Sequence, residues 1–167
     1  MKLREQIQTA LLIAIGLMMH YSVPGLIGGM KFDFMLAFIF IAILLNPTVK
    51  NTVLTAGVGG LLTALTTTFP GGQIPNIIDK IVTCFAIYLL IKLFSKLPEA
   101  MSVGVISFIG TIISGSVFLG SALILVGLPA PFAALFISVV VPAAIGNVFF
   151  TTLVHTALKR SMKHIRA

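Results

Sequence analysis

The stretch FPGGQIPNIIDK, residues 69–80, lies between two long apolar runs and contains turn-forming residues, amides and two charges. Pro70, Pro75 and the pair Gly71-Gly72 oppose a continuous helix and predict that the chain reverses direction here. We therefore expect the polar side chains of this stretch to face the surface at which the chain turns. These side chains are Gln73, Asn76, Asp79 and Lys80.

The composition indicates what lies on either side of that turn. Hydrophobic residues make up 58% of the 167 residues and charged residues 9%, and the mean hydropathy of +1.14 is too high for one soluble core. The apolar runs are continuous and helix-length, which favours transmembrane helices over the short alternating strands of a β-barrel. The predicted fold class is an all-α integral membrane protein, a compact bundle of six transmembrane helices in a single domain, residues 1–167. Residues 69–80 are then either the lip of a binding site or a polar connection among lipid headgroups.

The predicted helices are 7–19, 34–45, 52–68, 77–93, 103–126 and 133–158. The first lacks a small-residue cleavage site and is followed by further spans, so we interpret it as an uncleaved helix. The second has only 12 residues, about 18 Å of helix against a hydrocarbon core of about 30 Å. It either crosses by borrowing flanking residues or is re-entrant. In the last helix, Pro142 and Asn147 interrupt the apolar face.

The lysines and arginines predict the orientation. In a six-span topology with both termini inside, nine of them lie on the inner side and only Lys31 and Lys80 on the outer side, which predicts a multi-pass protein of the bacterial cell membrane with cytoplasmic termini. The nine are Lys2, Arg4, Lys50, Lys92, Lys96, Lys159, Arg160, Lys163 and Arg166. If residues 34–45 did not cross, a flipped five-span arrangement would give eight against three, so charge does not settle the number of spans. The net charge of +7 is a topology signal, and we expect no nucleic-acid partner.

The outer side also holds two of the four acidic residues, Asp33 and Asp79. A site with both signs of charge suits an amino-acid zwitterion. Its carboxylate would meet Lys80 or Lys31, and its ammonium would meet Asp33, Asp79 or a backbone carbonyl. In the alternative interpretation, Asp33 pairs with one of these lysines and contacts no ligand.

Several chemistries have no support in the sequence. There is no Gly-x-x-x-x-Gly-Lys-Ser/Thr pattern, so the chain is not expected to hydrolyse ATP itself. No nucleophile, base and oxyanion donors assemble, and we predict no enzymatic activity. Cys84 is the single cysteine, which excludes an internal disulfide and a cysteine-based zinc site; no cofactor or metal is predicted. Acids are absent from the middle of the spans, which argues against a proton-coupled pump, although His20 and His155 near opposite helix ends leave a relay open.

Small residues recur every fourth position on two of the predicted helices. On the first helix they are Ala10 and Ala14, and on the third Ala56, Gly60 and Ala64. Small side chains let helix backbones approach closely in lipid. The patch on the first helix therefore serves either packing within the bundle or docking of a partner helix.

Four longer runs carry a resemblance to a known family. They are GMKFDFML (29–36), TALTTTFPGGQIPNIIDK (63–80), SGSVFLGSALILVGLPAPFAALF (114–136) and VVPAAIGN (140–147). With six short helices and the Ala-x-x-x-Ala face, they resemble the tryptophan transporter TrpP family of Gram-positive bacteria, a substrate-binding S component of energy-coupling-factor (ECF) transporters. The resemblance implies binding near the outer surface and docking of the first helix, through Ala10 and Ala14, onto a transmembrane T component driven by two ABC ATPases. It also implies that the whole S component topples in the bilayer during transport.

The candidate substrate-binding residues are chosen from depth and chemistry; they are Lys31, Asp33, Phe69, Gln73, Asn76, Lys80, Ser116, Ser121 and Asn147. Since the chain has no tryptophan, phenylalanine would stack on the indole ring, with a serine or Asn147 orienting its N–H. Lys80, expected in the first turn of the fourth helix, would hold the carboxylate together with the helix N–H groups. The alternatives are a self-sufficient small amino-acid permease or channel, an S component for another small nutrient, and a membrane scaffold that transports nothing. Membrane lipid is a partner in every case.

Overall fold

The protein is a helical bundle in this computed structural model, which describes residues 3–24 and 29–164. Within these ranges there is no strand, and the chain forms six helices, as predicted. They are α1 (Leu3–Ser22), α2 (Phe34–Leu45), α3 (Val49–Leu65), α4 (Gln73–Leu93), α5 (Glu99–Leu125) and α6, which joins Phe132–Leu135, a π-helical segment Phe136–Val140 and Val141–His164. Three predictions on charge and loop structure fall on residues that lie outside the described ranges: Lys2, Arg166 and the glycine-rich part of the first loop, 25–28.

The short helix α2 lies at the centre of the bundle and contacts each of the other five helices. Nine of its twelve residues, from Met35 to Ile43, are buried, and Phe40 packs in a cluster with Ile13 and Ile87. A helix that is apolar all round lies either in lipid or among other helices, and here neighbouring helices cover it. The 34–45 run therefore does not need the length of a lipid-exposed span.

Both ends of the described chain lie at the same end of the bundle. Gln8 on α1 is within 3.6 Å of the Met162 sulfur on α6, and the Thr9 hydroxyl donates to the side-chain oxygen of Asn51 on α3 at 2.9 Å. Asn51 in turn donates to the carbonyl oxygen of Ala42, 2.9 Å away, near the end of α2. The helices thus alternate in direction, and the loops before α2 and α4 lie at the opposite end.

The outer surface of the bundle is suited to lipid. Three helical stretches are long and apolar enough to cross a membrane, Gln73–Leu93, Glu99–Leu125 and Phe132–Met162, whereas α2 and α3 are shorter apolar helices. Large apolar side chains such as Ile124 and Phe149 are exposed on this surface. Since soluble proteins rarely expose so much contiguous apolar area, the fold is that of a multi-pass helical membrane protein.

The organising turn is shorter than predicted. Helix α4 begins at Gln73 rather than at residue 77, and it includes Pro75; the proline fits because N–H groups in a first helical turn have no intrahelical acceptor. The reversal is confined to residues 66–72, where Gly71 has a φ of 70°, a conformation that favours glycine. As a result, Lys80 lies in the third turn of α4 and not in the first. The prediction that helix N–H groups assist Lys80 is wrong.

Two close contacts between helices depend on small residues. On α3, a Cβ added to Gly60 would lie 3.4 Å from the Cα of Ile77 on α4, which confirms the predicted packing face. On α5, Gly115 has no room for a Cβ because the side chain of Val140 on α6 occupies that space. Val140 ends the π-helical segment, and this wider turn accommodates Pro142 without ending the helix.

Candidate functional site

A cavity opens at the loop end of the bundle, beneath the connections that precede α2 and α4. Counting the part that opens to solvent, it measures about 630 Å³. Charged side chains line one part, aromatic and aliphatic side chains another, and amides and hydroxyls a third. Each part is built by a different pair of elements.

The charged part is centred on Lys80. Its Nζ lies 2.6 Å from Oδ2 of Asp33 and 2.5 Å from Oδ2 of Asp79, while the other oxygen of Asp79 accepts a 2.8 Å hydrogen bond from Thr83. Lys80 and Asp79 are each 1% exposed, whereas the Asp33 side chain is 21% exposed. Buried charges are tolerated only when they are paired in this way. The expectation that Asp79 and Lys80 face the membrane surface is therefore wrong, since both point into the bundle.

Asp33 is the more exposed acid of this cluster, and its position is fixed from two sides. Its Oδ1 accepts a hydrogen bond from the backbone N–H of Leu36 at 3.1 Å, which caps α2, and it lies 3.1 Å from Nδ1 of the buried His20. Burial by itself raises the pKa of Asp33, but Lys80 and His20 outweigh that effect and hold the pKa below its ordinary value. The site thus presents an ionised carboxylate to the cavity.

Lys31 joins the ends of two helices at the rim of the same cavity. Its Nζ donates to the carbonyl oxygens of His20 at 2.8 Å and Thr66 at 3.1 Å, near the C-terminal ends of α1 and α3. Burial lowers the pKa of Lys31, and the nearby charge of Asp33 opposes this shift. An ammonium has three donors, so one remains for the cavity among the contacts of the described residues. Of the two predicted partners for Asp33, the structure pairs Lys80 and not Lys31.

The apolar part is built around two aromatic rings. Phe69, in the turn between α3 and α4, meets Phe118 of α5 edge to face, with centroids 5.4 Å apart and an interplanar angle of 83°. Met30 and Val139 belong to the same buried cluster and also line the cavity. Aromatic and aliphatic walls of this kind suit a flat apolar ring.

The third part consists of amides and hydroxyls on α4, α5 and α6. Asn147 donates through Nδ2 to the Thr111 hydroxyl at 3.2 Å, and Thr111 donates to the carbonyl oxygen of Ser107 at 2.8 Å. Asn76 donates to the carbonyl oxygen of Gly72 at 2.8 Å and is thereby fixed to the turn before α4. Asn147, Thr111 and Asn76 all line the cavity.

The structure brings most of the predicted site residues together. Those lining the cavity are Lys31, Asp33, Phe69, Asn76, Lys80 and Asn147. The other three predicted residues do not line the cavity. Gln73 is exposed at the start of α4, and the hydroxyls of Ser116 and Ser121 bond carbonyl oxygens of their own helix.

Further residues line the cavity that were not among the predicted site residues. They include His20, Asp79, Thr111, Ser114 and Phe118. Ser114 and Ser116 differ by two positions, about 200° around a helix, so only one of them can face inward. The recurrence of Thr111, Ser114 and Phe118 at spacings of three and four was the available signal.

Ala10 and Ala14 lie on a different face. Both are exposed, and they line an apolar groove between α1 and α3 with residues such as Leu54 and Val58. The structure therefore contradicts the interpretation that this small-residue patch packs inside the bundle.

A helical bundle with an apolar outer surface and a polar, charge-lined cavity defines the class, a multi-pass helical membrane protein. Its residues 2–163 match the family described as tryptophan transporter TrpP, and the chain belongs to that family, as the sequence runs indicated. Probable tryptophan transport proteins of Clostridium acetobutylicum and Bacillus subtilis are 49% and 48% identical over 164 and 165 residues, covering 98% and 96% of this chain and 96% of each relative. A third, from Clostridium perfringens, is 39% identical over 92% of this chain and 90% of its own. No solved structure matches. The relatives are named for transport and not for catalysis.

Proposed function

We propose that this protein captures tryptophan at the outer face of the bacterial cell membrane, as the substrate-binding subunit of an ECF-type importer. The observation that carries the proposal is the division of one cavity into a charged part at Asp33 and Lys31 and an aromatic part at Phe69 and Phe118. An amino acid with a large flat side chain needs both parts. The names of the three relatives support the same substrate.

The charged groups have different roles in this proposal from those that the sequence indicated. Lys80 already holds two carboxylates and is 1% exposed, so it serves to position Asp33. The ammonium of the ligand meets the Asp33 carboxylate, which is the more exposed of the two acids. The carboxylate of the ligand meets the remaining donor of Lys31. Each end of the zwitterion thus gains a charge-assisted hydrogen bond.

The distribution of basic residues supports an outer location for the cavity. At the opposite end of the bundle, near the chain ends, lie Arg4, Lys50, Lys92, Lys96, Lys159 and Arg160. Lysines and arginines accumulate on the cytoplasmic side of membrane proteins. The cavity end then faces outward and both termini face the cytoplasm.

The energy for uptake comes from partner subunits in this proposal. The chain has no P-loop, and the exposed groove at Ala10 and Ala14 offers a smooth apolar surface for a helix of a T component. Two ABC ATPases would then drive transport through that component. The first helix is therefore the docking element, whereas the opposite face of the bundle contacts lipid.

Two measurements test the proposal. Isothermal titration calorimetry on the purified protein should show saturable binding of tryptophan in preference to alanine, leucine and lysine. Proteoliposomes should take up tryptophan only when the energising subunits and ATP are present. Uptake by the protein alone under an ion gradient would instead identify a self-sufficient permease, and the absence of tryptophan binding would contradict the proposed substrate.

A further inference from the structure

We propose that Thr111 fixes the side-chain amide of Asn147 so that its carbonyl oxygen is offered to the ligand, which makes the site selective for a ring that carries an N–H donor. This inference rests on the proposed function and adds a specificity-determining residue, Asn147, and a positioning residue, Thr111. Neither residue belongs to the charged cluster, so the ring end of the ligand is recognised separately from its amino-acid end.

The direction of the hydrogen bonds carries the argument. The carbonyl oxygen of Ser107 is an acceptor only, and it takes the Thr111 hydroxyl proton at 2.8 Å. The Thr111 oxygen can then only accept, so the group of Asn147 that faces it at 3.2 Å is the NH₂. Turning the amide over would require the Thr111 hydroxyl to leave the Ser107 carbonyl and donate to the amide oxygen instead. The hydrogen bond from Thr111 to the backbone of α5 therefore favours the orientation in which the amide oxygen points away from Thr111.

The other end of that amide is left with its hydrogen-bonding capacity unused. Among the contacts of residues 3–24 and 29–164, no donor reaches the Asn147 side-chain oxygen, although Asn147 is only 5% exposed. The residue lines the same cavity as the Phe69 and Phe118 rings. This oxygen is not among the buried, unpartnered side-chain atoms of the described residues, so it is accessible to a cavity. A ring that covers it without supplying a donor leaves it unpaired at a cost, and a ring with an N–H avoids that cost.

The expected ligand preference follows from this arrangement. Indole carries one N–H at the edge of a flat apolar ring, a phenyl ring carries no donor, and a phenol carries its donor at a different distance from the amino-acid group. Apolar walls discriminate weakly between rings of similar size, but a buried group built to hydrogen-bond one substrate strongly rejects analogues that lack the partner. The Asn147 oxygen is thus the feature that separates tryptophan from other aromatic amino acids.

The test compares tryptophan with 3-(3-benzothienyl)alanine, in which sulfur replaces the indole N–H in a ring of nearly the same shape. Binding of both to the purified full-length protein is measured by calorimetry. In the unmodified protein the analogue should bind about tenfold more weakly or worse, because the Asn147 oxygen stays unpaired. In Thr111→Val the amide is free to turn, and the ratio of the two dissociation constants should fall toward one. Thr111→Ser keeps the hydroxyl and should retain the original ratio.

Ser107→Ala is the matched control. The Ser107 hydroxyl bonds the carbonyl oxygen of Val103 at 2.7 Å, so its removal deletes one buried hydroxyl of α5 and leaves the backbone acceptor of Thr111 in place. The ratio of the dissociation constants of tryptophan and the benzothienyl analogue should not change. If Thr111→Val does not fold, Asn147→Leu provides the second variant, and its ratio should also fall toward one.

The outcomes separate this inference from the function on which it rests. Equal binding of tryptophan and the benzothienyl analogue by the unmodified protein overturns the inference but leaves tryptophan capture standing. An unchanged ratio in a folded Thr111→Val protein overturns the positioning role. The absence of tryptophan binding in the unmodified protein refutes both the inference and the proposed function.

Discussion

Replacing Asp33 by asparagine removes the negative charge that we assign to the ligand ammonium while keeping the shape of the side chain. The amide oxygen of the new side chain would still cap α2 through the Leu36 N–H, because asparagine and aspartate are nearly equivalent caps. Lys80 keeps its second partner, Asp79, at 2.5 Å. The substitution therefore removes the charge while keeping the helix cap, which an alanine variant would lose.

The magnitude follows from the setting of the carboxylate. A hydrogen bond to a charged group contributes about 1.5–3 kcal/mol. Because the Asp33 side chain is 21% exposed, we expect partial screening and the lower half of that range, about 1.5–2 kcal/mol. The dissociation constant for tryptophan should then rise about 10- to 30-fold.

The assay uses two ligands to isolate the ammonium. Tryptophan and indole-3-propionate, which lacks the ammonium group, are titrated into the purified Asp33→Asn protein. Only tryptophan should lose affinity. Glu99→Gln, which removes a carboxylate at the opposite end of the bundle beside Lys159, is the control and should change neither titration. If Asp33→Asn weakens both ligands equally, or neither, then Asp33 only positions Lys80 and our assignment is refuted.

Three further predictions concern the cluster, the helix contact and the groove. Lys80→Met should lower the free energy of unfolding by about 3–5 kcal/mol, because the buried Asp79 and the partly buried Asp33 lose their shared cation; an unchanged melting temperature in detergent would contradict this. Gly115→Ala should cost about 1–3 kcal/mol by overpacking, whereas Gly120→Ala, which has open space around its position, should be neutral in the same melting assay. Ala10→Leu combined with Ala14→Leu should leave tryptophan binding intact and stop ATP-driven uptake, and normal uptake would exclude the docking role.

The fold was predictable because it follows from composition and run length. Continuous apolar runs indicate helices, and all six were located from them, with errors only near their ends. The start of α4 was missed because Pro75 was interpreted as a helix breaker, although a first helical turn tolerates proline. The central position of α2 was not recognised, since a 12-residue apolar run is compatible with a core helix as well as with a short span.

The site was predictable only in part because it depends on which face of each helix turns inward. The four-residue spacing of Asn76 and Lys80 places both side chains on one face of α4, and both line the cavity. Sequence reasoning did not distinguish Ser114 from Ser116, because the stripe of Ser107, Thr111 and Ser114 that marks the inward face of α5 was not recognised. Direct pairing of Asp79 with Lys80 was also unforeseen. Neighbours in sequence do not face each other on a helix, but here the Lys80 ammonium contacts both Asp79 and Asp33.

The charge balance of the cavity gives a reason why its ligand should be a zwitterion. Among the described residues that line it, the side chains with a formal charge are two cations, Lys31 and Lys80, and two anions, Asp33 and Asp79. A cationic or anionic ligand would bring an uncompensated charge into a region where solvation by water is limited, which is costly. A zwitterion adds no net charge, and its two ends can meet Asp33 and Lys31 separately. An uncharged indole would gain only the aromatic contacts, so the amino-acid form of the ligand is the one that uses the whole cavity.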